Sequence, residues 1–585
     1  MAENDKKIAL ETEISAAKSL FLGAIVEQNL FPYPELAAGE TETVRMVIDS
    51  VDKFMSPKAD LYRQFDVAGA QSDEYIQSLR ELGLFGLIIP ESHDGIGLSN
   101  RSYARVIEQT SRYDGSTSLT VGAHSSIGMK GILLFGTDEQ KKRYLPKLAT
   151  GEYIAAFCLT EAGSGSDAGS IKTHAEKNPD GSWTLSGEKI WITNGAFADI
   201  FTVFARSDSD AGKITAFIVE RAWGGVESGP KEDKMGIRAS ATTTVRFDKV
   251  RVPADCVLGE EGKGFKVAMS ILNNGRTGLG GGSVGAMKRC IAMAAKQALE
   301  RKQFGSSISQ FELVKEKLSR MTVSCFATES VVGMVGHYID SGVADYSVEA
   351  AMSKVYASEA LWQVSNDALQ IAGGNGFMRD FPYERIVRDC RINLIFEGTN
   401  EILRLYIALS ALKDAGEYLK GIGKGVANIF NDPIKGFGVL SGYATKRFTE
   451  LTSLGRDRIS SVHPSLSEQS AVFEHATLQL SKSVNAFLRK HRGNVIGKQY
   501  SQKRLADSAI DIFTGLCVLS RVTALIQKRS VGECSQEIRI AKLFAEGAKV
   551  RIAENLRLLE RPEDEHTSAL ADFIVTNGDY PWDVL

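Results

Sequence analysis

No two of the seven cysteines stand in a Cys-x-x-Cys pair, and the eight histidines share no clustered spacing with them. That argues against a structural zinc site and against a disulfide framework. An odd number of unpaired thiols reads as reduced cysteine in a cytosol-like compartment. A basic excess is also missing. The formal net charge is −3, so nothing supports a nucleic-acid partner and none is expected. No stretch approaches the roughly 20 consecutive apolar residues of a membrane span. The N-terminal MAENDKKIALETEIS mixes acids with lysine. It lacks both the apolar core of a secretory leader and the Arg-rich, acid-poor bias of a transit peptide. A soluble or peripherally bound chain is expected, cytoplasmic if bacterial and mitochondrial if an already processed organellar form.

What is present is ordinary globular composition: 585 residues, 43% hydrophobic and 24% charged. That is enough for several packed cores, with roughly three to four domains as the prior from length. The apolar period divides the chain. After an N-terminal extension (1–40), residues 41–151 read as helices, as in DEYIQSLRELGLFG and SYARVIEQTSRY, where apolar residues recur at three and four. Residues 152–260 switch to short β-rich runs such as YIAAFCLT, FTVFAR and TTTVRFDKVRV, broken by turn residues such as Asn178-Pro179-Asp180-Gly181. An antiparallel β domain is expected there. Residues 261–412 return to long helical segments that fit a bundle. Residues 413–466 read as a linker, loosest from Asn431 to Leu466, and 467–585 as an additional helical domain. The fold class is therefore α+β, with a β domain between helical lobes and a ligand cleft expected at their junction.

Two stretches match G-x-G-x-x-G/A spacing: Gly163-Ser-Gly165-Ser-Asp-Ala168 and Gly280-Gly-Gly282-Ser-Val-Gly285. A nicotinamide-type site needs a strand before, a helix after and an acid about 20 residues on. The first runs into a hairpin and the second lies within helical pattern, so neither qualifies. The first remains a tight turn whose N–H groups and hydroxyls suit a phosphate or a flavin edge. The second costs about 1 kcal/mol per glycine in a helix. It reads either as close helix packing or as a face along which a long apolar ligand lies.

Seven segments in order resemble the acyl-CoA dehydrogenase family: AAFCLTEAGSGSDAGSIKTHA, GEKIWITNGAFADIFTVFAR, DKMGIRAS, LGEEGKGFKVAMSILNNGR, ALERKQFG, QIAGGNGF and RDCRINLIFEGTNEILR. The C-terminal extension, LFPYPEL and VGAHSSIGMKGILLFGT are similar to its very-long-chain branch, which includes a paralogue associated with respiratory complex I assembly. The resemblance implies FAD as cofactor and α,β-dehydrogenation of a fatty acyl-CoA to the trans-2-enoyl-CoA. A base takes the α-proton, hydride goes to flavin N5, and an electron-transferring flavoprotein accepts the electrons. It also implies a homodimer.

The same resemblance assigns roles. Glu397 of Phe-Glu-Gly-Thr-Asn matches the catalytic base, and its backbone N–H one half of the oxyanion-type pair on the thioester carbonyl. A carboxylate gains basicity in a water-excluded site. A related subgroup carries its base near Asn274 or Gly275, where this chain has no carboxylate. Phe157, Cys158, Leu159, Thr160, Ser164, Gly165 and Ser166 match the flavin-contacting strand and turn, with Ser166 also near CoA. Trp191, Ile192 and Thr193 match the segment that packs on the isoalloxazine. Arg301, Phe304, Gln370, Gly373 and Gly374 match segments that reach the neighbouring subunit's FAD. Thr399, Asn400 and Glu401 continue the flavin contacts, and Gln499 adds one from the extra domain. Asn273, Asn274, Gly275 and Arg276, together with Phe396 and Gly398, match substrate contacts. Gly122 stands where medium-chain relatives carry a larger side chain, which implies a deep tunnel and long or very long acyl chains.

Other readings stay open at this point. An acyl-CoA oxidase shares the flavin and base motifs, and an assembly protein could use the same fold. The stretch Ile434 to Arg458, with Lys435, Lys446, Arg447 and Arg456 among apolar residues, is either a peripheral membrane contact or a plain linker.

Overall fold

The computed structural model of the chain describes residues 14–208, 212–421 and 459–584. The stretch Ile434 to Arg458, and with it the membrane-contact expectation, lies outside the described residues.

Nearest the N-terminus is a short helix, α1 (Ala16–Phe21). An all-helical lobe follows: α2 (Ala38–Met55), α3 (Ala59–Ala68), α4 (Asp73–Glu81), α5 (Asn100–Ser111), α6 (Gly115–Gly122), α7 (Lys130–Phe135) and α8 (Asp138–Thr150). Its boundaries are chemical. Asp114 caps α6 by accepting from the Thr117 N–H, and Thr137 and Gln140 form a reciprocal capping box on α8. Gly151 ends α8 in a left-handed conformation.

A seven-stranded sheet comes next: β1 (Ala155–Cys158), β2 (His174–Lys177), β3 (Trp183–Thr193), β4 (Ile200–Ser207), β5 (Ile214–Glu220), β6 (Val226–Lys231) and β7 (Thr242–Val252). Antiparallel pairing joins β2–β3, β3–β7, β4–β5 and β6–β7. The sheet is nonetheless mixed, because β1 and β2 both run parallel to β4. Its long central strands are apolar on both faces, as in β4 with Phe201, Val203 and Phe204 at 0% exposure.

The bundle is α9 (Gly264–Glu300), α10 (Glu312–Asp340), α11 (Ser347–Ala372), α12 (Gly374–Phe377), α13 (Tyr383–Arg391) and α14 (Asn400–Gly421), with a small hairpin of β8 (Lys302–Gln303) and β9 (Ser306–Ser307). The C-terminal helices are α15 (Ser467–His491), α16 (Gln499–Lys528), α17 (Ser535–Arg557) and α18 (Glu563–Asn577). The α16 segment corrects the expectation that no run is apolar enough for a membrane: one 18-residue window reaches a mean hydropathy of 1.8. Because 83% of that window is buried against neighbouring helices, α16 is explained as the core helix of its domain.

Among the described residues two large cores stand beside a smaller one within the bundle. One large core joins the N-terminal lobe to the sheet; the other joins α1, the bundle and the C-terminal helices. Helix α1 is thus buried against elements more than 300 residues away.

Candidate active site

The Gly-rich face of α9, the inner helices of the N-terminal lobe, β1 and β3, and the α13–α14 connection enclose a cavity of about 820 Å³. The glycines of α9 divide between two duties. A Cβ on Gly280, Gly281 or Gly285 would stand 2.5 Å from Val332 Cγ2, 2.4 Å from Ala104 O or 1.9 Å from Glu108 O, so these three serve close helix packing. Gly275, Gly278 and Gly282 line the cavity with Leu279 and Ala286. The cluster therefore divides between close helix packing and lining the cavity.

Glu397 stands at the head of this space. After α13 the chain makes a 3-10 turn, then two consecutive left-handed residues, Glu397 (φ +55°) and Gly398 (φ +93°), before Thr399 caps α14 by accepting the Ile402 N–H. Glycine takes such a φ freely, but a glutamate there costs on the order of 1 kcal/mol, so the surroundings must hold it. Arg276 Nη2 donates to the Glu397 carbonyl at 3.4 Å. The Oε2 atom is shielded from solvent and has no hydrogen-bond partner in the protein. Oε1 lies 3.6 Å from where a Gly275 side chain would begin, so glycine leaves that approach open. Burial raises the Glu397 pKa, and Arg276 and Lys354 pull it back. A carboxyl held this way, buried and bordering a largely apolar chamber, has a perturbed acidity of the kind found at functional sites.

Across the cavity, Trp191 is 65% exposed at φ +58°, an unusual exposure for a large aromatic at the end of a central strand. With Phe157, Leu159, Thr160, Ile192 and Thr193 it forms an apolar wall with a polar margin. The adjoining turn presents Gly165 and Ser166, and a Cβ on Gly163 or Gly165 would meet nothing within 4 Å. A flat, largely apolar ring with a hydrogen-bonding edge and a phosphate tail fits this wall, so the residues present suit FAD.

The structure brings together Gly122, Phe157, Leu159, Thr160, Gly165, Ser166, Trp191, Ile192, Thr193, Asn273, Gly275, Arg276, Phe396, Glu397 and Gly398 around one cavity. Other expected residues lie elsewhere. Cys158 is fully buried on the opposite face of β1. Ser164 donates to the Asp167 carbonyl, and Asn274 donates to Ser270 O and to the Tyr346 hydroxyl at 2.5 Å, away from the chamber. Asn400 is 1% exposed and bonded to Lys354 and Ser358, while Thr399 caps α14. Arg301, Phe304, Gln370, Gly373, Gly374, Glu401 and Gln499 are exposed and do not line the cavity. Phe304 reaches 95% exposure at φ +53°.

Sequence reasoning missed the walls supplied by Ile107, Ser111 and Leu119, and also Ile237 and Asp389. The signal for Ile237 was available, since it sits in DKMGIRAS. The same holds for Asp389, which lies in RDCRINLIFEGTNEILR; nothing local marks Ile107, Ser111 and Leu119, because α5 and α6 reach the cavity only through tertiary packing.

Comparison with known proteins agrees with this geometry. The acyl-CoA dehydrogenase N-terminal domain matches residues 41–152, the middle domain 156–250 and the C-terminal domain 262–412. The chain belongs to the acyl-CoA dehydrogenase family. Within it, residues 464–580 match the ACAD9/ACADV C-terminal domain, which places the chain in the very-long-chain branch. The very long-chain specific acyl-CoA dehydrogenase of Bos taurus mitochondria is 45% identical over 574 residues, covering 96% of this chain and 86% of that protein. The Homo sapiens counterpart is 44% identical over 570 residues, covering 95% and 86%. A crystal structure of a Bacillus anthracis acyl-CoA dehydrogenase complexed with FAD superposes with a TM-score of 0.78 at 33% identity, covering 92% of this chain and 91% of that one.

Proposed function

We propose that this protein dehydrogenates long- and very-long-chain fatty acyl-CoA thioesters to the trans-2-enoyl-CoA, with Glu397 as the base. The carrying observation is Glu397 Oε2, solvent-shielded and unpartnered at the head of an apolar tunnel. The α-proton of a thioester becomes acidic only while its carbonyl is polarised, a task that family resemblance gives to the Glu397 backbone N–H. FAD, when bound against Trp191 and Thr193, supplies the two-electron acceptor for the β-hydrogen. The protein's own work is to exclude water, hold the acyl chain straight and take the α-proton on Glu397.

Tunnel length supports the chain-length reading. Beyond Gly275, which stands beside Glu397, the lining of α9 continues to Ala286, about 16 Å further at the rise of an α-helix. That is close to one leaflet of the roughly 30 Å hydrocarbon core of a bilayer, the span of an ordinary membrane acyl chain. Each buried methylene adds about 0.8 kcal/mol, so tunnel depth becomes chain-length preference.

The reading includes transfer of electrons to an electron-transferring flavoprotein and association of two copies. In support of the second, the bundle leaves three large apolar side chains open to water, Phe304 at 95%, Phe377 at 78% and Leu313 at 73% exposure. Mixing the purified protein with palmitoyl-CoA without oxygen should bleach its flavin. Glu397→Gln should bind the thioester but bleach at least about a thousand-fold more slowly. Bleaching at the parent rate would remove Glu397 from its role.

A further inference from the structure

Helix α11 reaches the back of the site as an apolar segment with one cation in it. In AAMSKVYASEALW, Lys354 is 0% exposed among buried neighbours. Taking an ammonium out of water costs several kcal/mol unless good acceptors meet it. Here they do: Nζ donates to the Gly398 carbonyl at 2.8 Å and to Asn400 Oδ1 at 2.8 Å. Both acceptors belong to the turn that carries Glu397. Asn400 is braced in its turn, donating to Ser358 Oγ at 3.0 Å and to Glu359 Oε1 at 3.2 Å. Lys354 itself does not line the cavity. The two left-handed residues of the turn are thus tied by cations on opposite helices, Glu397 by Arg276 of α9 and Gly398 by Lys354 of α11.

We propose that Lys354 is a positioning residue for the base: its buried ammonium fixes the Glu397–Gly398 turn from behind through the Gly398 carbonyl and Asn400. This inference rests on Glu397 being the base.

The charged groups facing Lys354 are Arg276 from α9, Glu397 from the turn, Glu401 from α14 and Glu359 from its own helix. Burial, followed by Arg276, pushes the ammonium down to about 7, while Glu397, Glu359 and Glu401 hold it up. Burial pushes Glu397 up, and Arg276 and Lys354 draw it back. Ionised Glu397 and protonated Lys354 therefore stabilise each other. Removing the cation makes the carboxyl harder to ionise. A lysine that merely filled space would affect stability and leave that ionisation where it was.

The test uses the full-length, flavin-loaded protein and two readouts. One is the pH dependence of the single-turnover reduction rate with palmitoyl-CoA. The other needs no substrate: the infrared carboxyl band of protonated Glu397, identified by its loss in Glu397→Gln. In Lys354→Gln, which retains an amide N–H for the Gly398 carbonyl, the midpoints of the acid limb and of the band should move to higher pH by about one unit or more. Lys354→Arg should bring both back to the parent position. Unmoved midpoints in a folded Lys354→Gln protein would overturn the proposal. So would a shift that arginine fails to reverse. Should the Gln variant not fold, Lys354→Met gives the same decision. Undiminished reduction by Glu397→Gln would instead sink the base assignment, and the infrared band would still report whether Lys354 governs that carboxyl.

Discussion

Adjacent glycines in α9 separate tunnel from packing at the level of single atoms. A Cβ on Gly282 would have Ile107 Cγ2 and Ser118 Oγ at 3.7 Å, ordinary contact, and would point into the tunnel. A Cβ on Gly281 would stand 2.4 Å from the Ala104 carbonyl oxygen. Gly282→Val should therefore fold, keep activity on short acyl-CoA and lose at least about tenfold in kcat/KM on chains long enough to pass that point, since the loss of two methylenes of burial is about 1.6 kcal/mol. A chain-length series of kcat/KM checks it; a uniform loss at all lengths would refute the tunnel axis. Gly281→Ala should instead lower Tm at every substrate length. Its clash, about 1–3 kcal/mol, exceeds the ~1 kcal/mol that alanine gains in a helix. This division was half legible beforehand. The spacing of small residues revealed that something approaches α9, but which glycine meets a backbone and which meets a ligand depends on α5 and α10, which lie elsewhere in the sequence. Lys354 left a fainter mark, the one cation in its helix and flanked by apolar and small residues.

At the scale of elements, the long helices and β-rich runs declared themselves through their periods, and the motif order fixed the site around them. The parallel pairing of β1 and β2 with β4 did not, because strand direction within a sheet is set by which neighbours pair and not by any strand's own pattern. Nor did α1, whose six residues are too few to show a period and are held by a distant partner. Glu349 of α11 accepts from the Ser15 hydroxyl at 2.6 Å and from the Ala17 N–H at 2.9 Å. Lys18 beside it pairs with Asp345 and Asp414. Burial pushes the Glu349 carboxyl up to about 7, with Asp345 adding to the rise and the two hydrogen bonds opposing it. The folded state thus holds a proton that the unfolded chain releases near 4.5, so this group's contribution is fully present below pH 4.5 and is lost as pH rises through 7. Hydrogen exchange over residues 14–22, corrected for intrinsic rates, should lose at least about tenfold in protection between pH 5 and pH 8. Glu349→Gln should flatten that profile. Equal slopes in the two proteins would mean that the docked helix does not sense this carboxyl.

For the molecule as a whole, the C-terminal helices are joined to the catalytic body through charge as well as apolar contact. Glu329 of α10 takes Arg105 Nη1 of α5 at 2.7 Å, Lys288 Nζ of α9 at 2.5 Å and Arg521 Nη2 of α16 at 2.6 Å. Arg521 also lies over the Phe326 ring, 4.2 Å from its centroid. One carboxylate thereby links the N-terminal lobe, the bundle and the C-terminal domain. Burial alone would raise its pKa, but Arg521, Lys288 and Arg105 outweigh that and hold it at about 2. Its stabilisation is complete above the unfolded value of 4.5 and is lost as pH falls toward 2. Removing the carboxylate leaves three cations facing one another across that junction, with Glu108 to share Arg105 and Lys288. Glu329→Gln should cost about 3 kcal/mol at neutral pH. The loss should fall on the junction and not on the chemistry: calorimetry should show α15–α18 melting ahead of the body, while flavin bleaching by palmitoyl-CoA at low temperature stays within about twofold of the parent. The gap in stability between parent and variant should also narrow as pH drops from 4.5 toward 2. A single transition at the parent Tm would mean that apolar packing alone holds the C-terminal domain in place.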